Sequence, residues 1–225
     1  MSTTRLSLDS MPKAIRVQRL LLGICILLTP LSISLYLVSW SQNLRYPLVA
    51  TAAASPVANT IHLIGGVAAS FFLPLGYLGM SLLGMRRAPG LATLAAALSL
   101  IGWIPWSALI SLDDLAYDIT QAGADPKMAA LWTHFNSDPV MTTYLLIYII
   151  GHLLSAVLIA FMLGRLRLIP TWAAWSLALT SPLTMLYFPI PTLLAKNVIN
   201  YLICILSVFG VVPAAIAMFR NKDLA

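Results

Sequence analysis

Residues 139–175 read PVMTTYLLIYIIGHLLSAVLIAFMLGRLRLIPTWAAW, and the rest of the chain is interpreted outward from this stretch. Within it, Val140 to Gly164 is a run of 25 residues whose only strongly polar side chain is that of His152. The hydrocarbon core of a bilayer is about 30 Å thick, and a helix rising 1.5 Å per residue crosses it in about 20 residues. The run therefore predicts a transmembrane helix.

A basic corner follows this helix. Arg165 and Arg167 come directly after the apolar run, and Pro170 lies three residues beyond them. A second apolar run then begins at Trp172. The stretch as a whole predicts a helical hairpin with its arginines at the turn, outside the hydrocarbon.

The composition is that of a chain surrounded by lipid. Of the 225 residues, 60% are hydrophobic and only 9% are charged, and the mean hydropathy is +0.91. So few polar side chains cannot cover a soluble globule of this size. The net charge of +6 does not indicate a nucleic-acid partner, because the basic residues stand at the ends of apolar runs rather than along one stripe. The predicted partner is the lipid bilayer.

Six apolar runs predict an all-α fold, an integral membrane bundle of six transmembrane helices in one domain. The predicted spans are about 20–39, 57–85, 91–112, 140–164, 172–194 and 198–219. Residues 1–19 and 220–225 are then short polar tails. The loop 113–138, between the third and fourth spans, is the only sizeable one.

The positive-inside rule orients this bundle. Lys and Arg number 13, and only Arg45, Lys127 and Lys196 fall on one side of the six-span layout. The other ten fall on the opposite side: Arg5, Lys13, Arg16, Arg19, Arg86, Arg87, Arg165, Arg167, Arg220 and Lys222. Cytoplasmic flanks carry the excess of basic residues, so both tails are predicted to be cytoplasmic and the loop 113–138 to face outward.

A short amphipathic helix is predicted within that loop. Asp125 followed by Pro126 is typical of a helix N-cap and first turn. Apolar side chains then recur at helical spacing, at Met128, Leu131, Trp132 and Phe135. This pattern predicts a helix lying in the membrane interface.

Two histidines lie within predicted spans, and ionisable residues inside a membrane are candidates for a functional role. His62 and His152 could together ligate a b-type haem, one imidazole from each of two neighbouring helices. Their predicted depths differ by roughly 10 Å, which is awkward for one planar macrocycle. The alternative is that each is a neutral histidine hydrogen-bonded to a hydroxyl or a backbone carbonyl of a neighbour.

An acidic cluster, Asp113, Asp114 and Asp118, follows the third span. Carboxylates at positions i and i+4 share a helix face, so Asp114 and Asp118 could hold Mg²⁺ against a diphosphate. The motif superficially resembles those of membrane prenyl transferases and terpene cyclases, which implies an enzyme acting on an isoprenoid-like substrate. Those families need a second acidic motif, which this sequence lacks, and the predicted topology places this one outside. A solvated helix end is the alternative.

An aromatic pocket is predicted between the third, fourth and fifth spans. Trp103 and Trp106 flank Pro105 in the third span, and His152 lies near mid-depth in the fourth. The fifth span contains three prolines, whose missing N–H groups leave carbonyls unpaired, and such carbonyls persist in lipid only beside protein or a water-filled cavity. The predicted ligand-binding side chains are those of His152, Trp103, Trp106, Tyr187 and His62.

The fourth and fifth spans together resemble part of a known group of proteins. An apolar helix, the pair Gly151-His152, the corner Gly164-Arg165-x-Arg167 and the segment Ile169-Pro170-x-Trp172-Ala-Ala follow in that order. This order is similar to that in uncharacterised six-helix multipass proteins of bacteria. The resemblance covers about forty residues, implies a multi-pass protein of the bacterial cytoplasmic (inner) membrane, and assigns no catalytic residue.

Two classes of function follow. In the first, the bundle binds or moves a small apolar or amphipathic molecule, or serves as a membrane subunit of a larger assembly. In the second, it is a redox protein with haem or an enzyme that uses the aspartate cluster. The scarcity of charge within the spans favours the first class, because proton-coupled transport and hydrolysis usually place ionisable residues inside the bundle.

Overall fold

The structure, a computed structural model, describes residues 13–41, 55–123, 125–186, 190 and 192–220. Every regular element in these ranges is a helix. The helices are α1 (Lys13–Ser41), α2 (Pro56–Leu82), α3 (Pro89–Trp103), α4 (Trp106–Gln121), α5 (Pro126–Asn136), α6 (Pro139–Arg165), α7 (Thr171–Leu186) and α8 (Leu193–Arg220). The predicted all-α class is therefore confirmed.

Five helical segments of the described chain are long and apolar enough to cross a membrane. They are Lys13–Val38, Pro56–Leu82, Pro89–Gln121, Pro139–Arg165 and Leu194–Arg220. The predicted fifth span is represented by α7, which has 16 residues and is shorter than these five. The predicted fifth span, and with it the total of six spans, therefore stays a prediction.

Six helices form a closed ring. In order around the ring, α1 packs against α2, α2 against α3, α3 against α6, α6 against α7, α7 against α8, and α8 against α1 again. The helix α4 continues from α3, and α5 lies against α4 and α6. A ring of this kind leaves an interior that all of its helices can line.

The third predicted span differs from the structure at its far end. Pro105 has no N–H, so it interrupts the helical ladder between α3 and α4, and the N–H groups of Ala108 and Leu109 both donate to the Pro105 carbonyl as the helix resumes. The helix then continues to Gln121 instead of ending near residue 112. The prediction that 113–121 is loop was wrong, because Asp113 is turned toward a partner inside the bundle rather than toward solvent.

Small residues set the close contacts between neighbouring helices. A Cβ built on Gly102 would lie 2.5 Å from backbone atoms of Gly151 and His152, so α3 and α6 are in backbone contact. Across the ring, a Cβ on Gly210 of α8 would lie 2.7 Å from the backbone nitrogen of Leu177 in α7. Such approaches are how helices associate in lipid, where apolar burial alone gives little driving force.

Most of the basic residues of the described chain lie at one end of the ring, and Lys127 and Lys196 are the exceptions. Arg19 donates from Nη2 to the Met218 carbonyl at 2.8 Å, so the beginning of α1 lies beside the last turn of α8. Arg87 donates from Nη1 to the Leu166 carbonyl at 3.5 Å, so the α2–α3 turn lies beside the α6–α7 turn. We call this end the arginine-rich end. The opposite end, the aspartate end, carries Asp113, Asp114, Asp118, Asp125 and Asp138.

The helix α5 lies at the aspartate end and begins where the sequence predicts. The Asp125 side chain accepts from the Lys127 N–H at 2.8 Å, and Pro126 occupies the first turn. None of its residues is buried, and Leu131 and Phe135 are exposed. Trp132 turns inward, donating from Nε1 to the Leu112 carbonyl at 2.8 Å. This helix therefore covers one end of the ring while keeping an apolar outer face.

Candidate functional site

The interior of the ring holds a cavity of about 290 Å³, which we call the central cavity. Each of the eight helices contributes to its wall, and most of the lining side chains are apolar or aromatic. The aromatic part of the wall is formed by α3, α4 and α6, which carry Trp103, Trp106, Tyr148 and His152. The predicted pocket between the third, fourth and fifth spans thus corresponds to one side of a cavity that the whole ring encloses.

Four rings make up this aromatic side. The ring centroids of Trp103 and His152 are 5.3 Å apart, those of Trp106 and Tyr148 are 5.2 Å apart, and the two indoles lie edge to face at 5.9 Å. Tyr148 stacks on His152 at 4.4 Å, as residues four apart on one helix can. Edge-to-face and offset pairs of this kind hold aromatic side chains in fixed positions.

The break at Pro105 positions the two tryptophans. Trp103 ends α3 and Trp106 begins α4, and both are turned into the ring interior. The Trp106 Nε1–H donates to the Gly66 carbonyl of α2 at 3.0 Å. The hydrogen-bonding capacity of Trp106 is therefore used within the protein.

His152 presents one hydrogen-bond acceptor to the cavity. Its Nδ1 lies 2.6 Å from the Tyr148 carbonyl. A carbonyl can only accept, so Nδ1 carries the proton, and in a neutral imidazole Nε2 is then an acceptor. The side chain is 2% exposed, and Nε2 has no partner among the described residues. A buried polar atom without a partner is rare in folded proteins and calls for an explanation.

Trp103 presents the complementary donor. Its side chain is 4% exposed, and its Nε1–H has no hydrogen-bond acceptor in the described part of the chain. An indole nitrogen can only donate. Two other buried side-chain atoms are equally without partners, on Asn59 and Asn197, but neither residue lines the central cavity. The unpartnered atoms of the cavity are thus one donor and one acceptor on neighbouring rings.

The hydroxyl protons of Thr180 and Ser207, on α7 and α8, are already used within the protein. The Thr180 hydroxyl donates to the Leu177 carbonyl at 2.7 Å, and the Ser207 hydroxyl donates to the Cys204 carbonyl at 2.8 Å. Asn200 reaches across to α1, where its Nδ2 donates to the Leu37 carbonyl at 3.4 Å. Among the described cavity-lining residues, the buried side-chain atoms that remain without a partner are Nε2 of His152 and Nε1 of Trp103.

His62 lies beside the aromatic cluster rather than in the cavity wall. Its Nδ1 is 3.1 Å from the Tyr36 carbonyl, and its Nε2 is 3.1 Å from Oδ2 of Asp113, which lines the cavity. Its ring also packs on that of Tyr36 at 4.1 Å. Both ring nitrogens are thus engaged by the protein. A haem held by His62 and His152 would require His62 to give up one of these partners.

Successive ring contacts join the two histidines. From His62 they run through Tyr36, Trp106 and Tyr148 to His152. The two imidazoles are therefore separated by packed aromatic side chains. Of the two histidines, His152 is the one whose Nε2 is available to a ligand in the cavity.

The remaining predicted site residues lie elsewhere. Asp114 and Asp118 are exposed at the aspartate end, and no group of three or more His, Cys, Asp or Glu side chains suited to a metal ion occurs in the described ranges. Tyr187 lies outside the described residues, as do Pro189 and Pro191. The sequence reasoning missed Tyr148 and the partnership of Asp113 with His62. The spacing of four residues between Tyr148 and His152 is the signal that could have revealed the first of these.

Comparison of the chain with protein-family models, with curated proteins and with solved structures gives no match. The geometry of the central cavity is therefore the basis for assigning a function.

Proposed function

We propose that this protein binds, within its ring of helices, a small and mostly apolar molecule that carries one hydroxyl group. The observation behind this proposal is the unpartnered pair in the cavity wall, the Trp103 Nε1–H and His152 Nε2. A hydroxyl can accept from the indole and donate to the imidazole at the same time. A hydrocarbon satisfies neither atom, and a carboxylate, which only accepts, leaves the histidine unpaired.

The size of the cavity limits the ligand. A volume of about 290 Å³ corresponds to about ten water-sized groups, since each water molecule in the liquid occupies about 30 Å³. Most of the wall is apolar, so an alkyl or isoprenyl skeleton of about that size suits it better than a sugar or an ion.

The proposal includes the membrane arrangement. We infer six spans, with α7 as the additional one, because α7 packs between α6 and α8 as a member of the ring. The arginine-rich end then faces the cytoplasm, as the positive-inside rule requires, and both termini lie there. The resemblance to multipass proteins of bacteria supports a place in the bacterial cytoplasmic membrane. The exposed Leu131 and Phe135 of α5 support an interfacial position for that helix.

The test compares three probes that have ten non-hydrogen atoms each: 1-nonanol, its isomer methyl octyl ether, and decane. The ether accepts a hydrogen bond but cannot donate one, and decane does neither. Ligands that bind only the folded state raise the unfolding temperature. We expect 1-nonanol to raise the unfolding temperature of the detergent-solubilised protein more than either of the other probes.

Two matched variants locate the effect. Trp103→Phe removes an unused N–H and should abolish the preference for the alcohol over the ether. Trp106→Phe removes a similar volume from the same wall, but the N–H it removes is already bonded to Gly66. It should lower stability and keep the preference. Equal shifts by alcohol and ether in the unaltered protein would overturn recognition of a hydroxyl, and no shift with any probe would overturn the binding function itself.

A further inference from the structure

The wall of the central cavity contains a carboxyl group as well as the unpartnered imidazole and indole. Asp113 lines the cavity, and its side chain is 17% exposed. Its Oδ2 lies 3.1 Å from Nε2 of His62. A carboxylate has about four acceptor positions on its two oxygens, so the contact with His62 leaves acceptor capacity on Asp113. The wall therefore has a second position at which a polar group of a ligand can be bound.

The acceptor at Asp113 persists wherever the proton shared with His62 lies. The Nδ1–H of His62 faces the Tyr36 carbonyl, so the shared proton is either on Nε2 or on Oδ2 of Asp113. In both forms Oδ1 is an acceptor, and the pair has no net charge. A hydroxyl therefore suits this position better than an ammonium group, which would add a charge to a mostly apolar cavity.

The helix α4 separates the two polar positions. Asp113 is seven residues after Trp106, so the two side chains share a helix face and are about 10 Å apart along the axis. Trp106 in turn packs against Trp103, with 5.9 Å between the ring centroids. The wall of α4 between the two positions is apolar and includes Leu109 and Leu112. The cavity thus offers one polar position at each end of an apolar stretch.

A ligand with a purely alkyl end is poorly matched to Asp113. A chain that fills the cavity keeps water away from the carboxyl group, and an acceptor without a partner in apolar surroundings costs free energy. A donor at that end of the ligand avoids this cost.

We propose that the ligand of the central cavity carries a second hydroxyl group, at the opposite end of its apolar chain from the first, and that this hydroxyl donates to Asp113. The first hydroxyl is the one bound by Trp103 and His152, so this inference rests on the function proposed above. It narrows the ligand class from alcohols to diols whose hydroxyl groups are separated by an apolar chain.

Two isomers, 1,8-octanediol and 1,2-octanediol, test the inference. Each has ten non-hydrogen atoms and two hydroxyl groups, but only the first has them at opposite ends. The unfolding temperature of the detergent-solubilised full chain is followed against the free concentration of each diol, which gives its dissociation constant. We expect 1,8-octanediol to bind about tenfold more tightly, which corresponds to about 1.4 kcal/mol, the scale of one hydrogen bond. Equal affinities would overturn the inference.

Two variants at one position separate ligand binding from structure. Asp113→Ala removes the acceptor and should abolish the preference for 1,8-octanediol. Asp113→Asn keeps an oxygen acceptor, while its amide N–H can donate to His62, and it should keep the preference. Each shift is measured from the variant's own ligand-free unfolding temperature, so that a change in stability is not counted as a change in binding. A preference that persists in Asp113→Ala would show that Asp113 is not the partner.

A neighbouring side chain provides a matched control. Asn136 of α5 also lines the cavity, and its amide can bond a hydroxyl. Asn136→Ala should keep the preference for 1,8-octanediol, because the second hydroxyl is bound by Asp113. Loss of the preference in this variant would place the second hydroxyl at α5 and contradict the assignment.

The failure of this inference can be told apart from the failure of the proposed function. The preference for 1-nonanol over methyl octyl ether tests the first hydroxyl, and Asp113→Ala should retain it. If the unaltered protein shows that preference but binds the two octanediols equally, only the second hydroxyl is refuted. If Asp113→Ala loses both preferences, Asp113 shapes the cavity rather than binding the ligand, and the inference is wrong. Should Asp113→Ala fail to fold, the two diols still decide the matter in the unaltered protein and in Asn136→Ala.

Discussion

Nε2 of His62 lies 3.1 Å from Oδ2 of Asp113, and this contact joins two helices at residues 51 positions apart in the chain. The other imidazole nitrogen faces the Tyr36 carbonyl at 3.1 Å. A carbonyl and a carboxylate both accept, so a proton held between Nε2 and Oδ2 completes the geometry. The pair thereby fixes α2 to α4 beside the central cavity, which Asp113 lines.

This pair gives the first prediction. Asp113→Ala leaves a buried imidazole nitrogen without its partner, and we expect the free energy of unfolding to fall by about 1 to 3 kcal/mol. Asp113→Asn should recover part of the loss, because its amide can donate to Nε2. The control Asp114→Ala changes an exposed neighbour and should have little effect. The free energy of unfolding is measured for all three variants in one detergent. Equal losses for Asp113→Ala and Asp114→Ala would contradict the prediction.

The second prediction concerns the backbone contact of α3 with α6. A Cβ at position 102 would lie 2.5 Å from backbone atoms of Gly151 and His152, so Gly102→Ala must push the two helices apart. We expect a loss of about 1 to 3 kcal/mol in stability and weaker binding in the adjacent central cavity. Gly90 has no atom near its Cβ position, and Gly90→Ala should be neutral or stabilising by up to about 1 kcal/mol. Equal unfolding temperatures for the two variants would refute the close contact.

The third prediction concerns the number of spans. With six spans, reporters fused before residue 1 and after residue 225 lie on the same side of the membrane. With five, they lie on opposite sides. We expect the same side, with a third reporter inserted near Gly123 on the other. Enzymatic reporters that are active in only one compartment make this measurement, and termini on opposite sides would exclude α7 as a span.

The fourth prediction concerns the position of α5. Trp132 pins this helix to the Leu112 carbonyl, whereas Leu131 is exposed on its outer face. Trp132→Phe should speed proteolysis between residues 121 and 139, because the helix loses the hydrogen bond from Trp132 to α4. Leu131→Ser should leave proteolysis in detergent unchanged and increase it only in bilayers, where that face meets lipid. Faster cleavage of Leu131→Ser in detergent would show that this face packs on protein instead.

Much of the fold could be predicted from hydropathy and from helix-capping residues. Long apolar runs predict spans because the bilayer requires about 20 apolar residues, and the Asp125-Pro126 pair predicts the start of α5 through local hydrogen bonding. Each of these signals comes from residues that are close together in the sequence. They can therefore be interpreted without knowledge of how the helices are arranged.

The arrangement of the helices is the part that the sequence could not supply. A helix that is apolar all round has no amphipathic stripe to show which face is inward, so the contact of Gly102 with Gly151 has no sequence signature of its own. The contact of His62 with Asp113 likewise has no signature in the sequence. The charge on Asp113 suggested the end of a span, whereas a partner on another helix allows the helix to continue to Gln121.

Arg19 holds the two extremes of the ring together, since it donates to carbonyls of Met218 and Phe219 in the last turn of α8. The residues involved are 199 and 200 positions apart. During translation α1 enters the bilayer long before α8 exists, and domains are built from the N-terminus onward. Until α8 arrives, Arg19 lacks these two carbonyls, and the Leu37 carbonyl of α1 lacks the Asn200 amide. A nascent chain halted before α8 thus leaves the α1 side of the ring open to lipid, a physical difference by which a membrane protease can distinguish it from a closed ring.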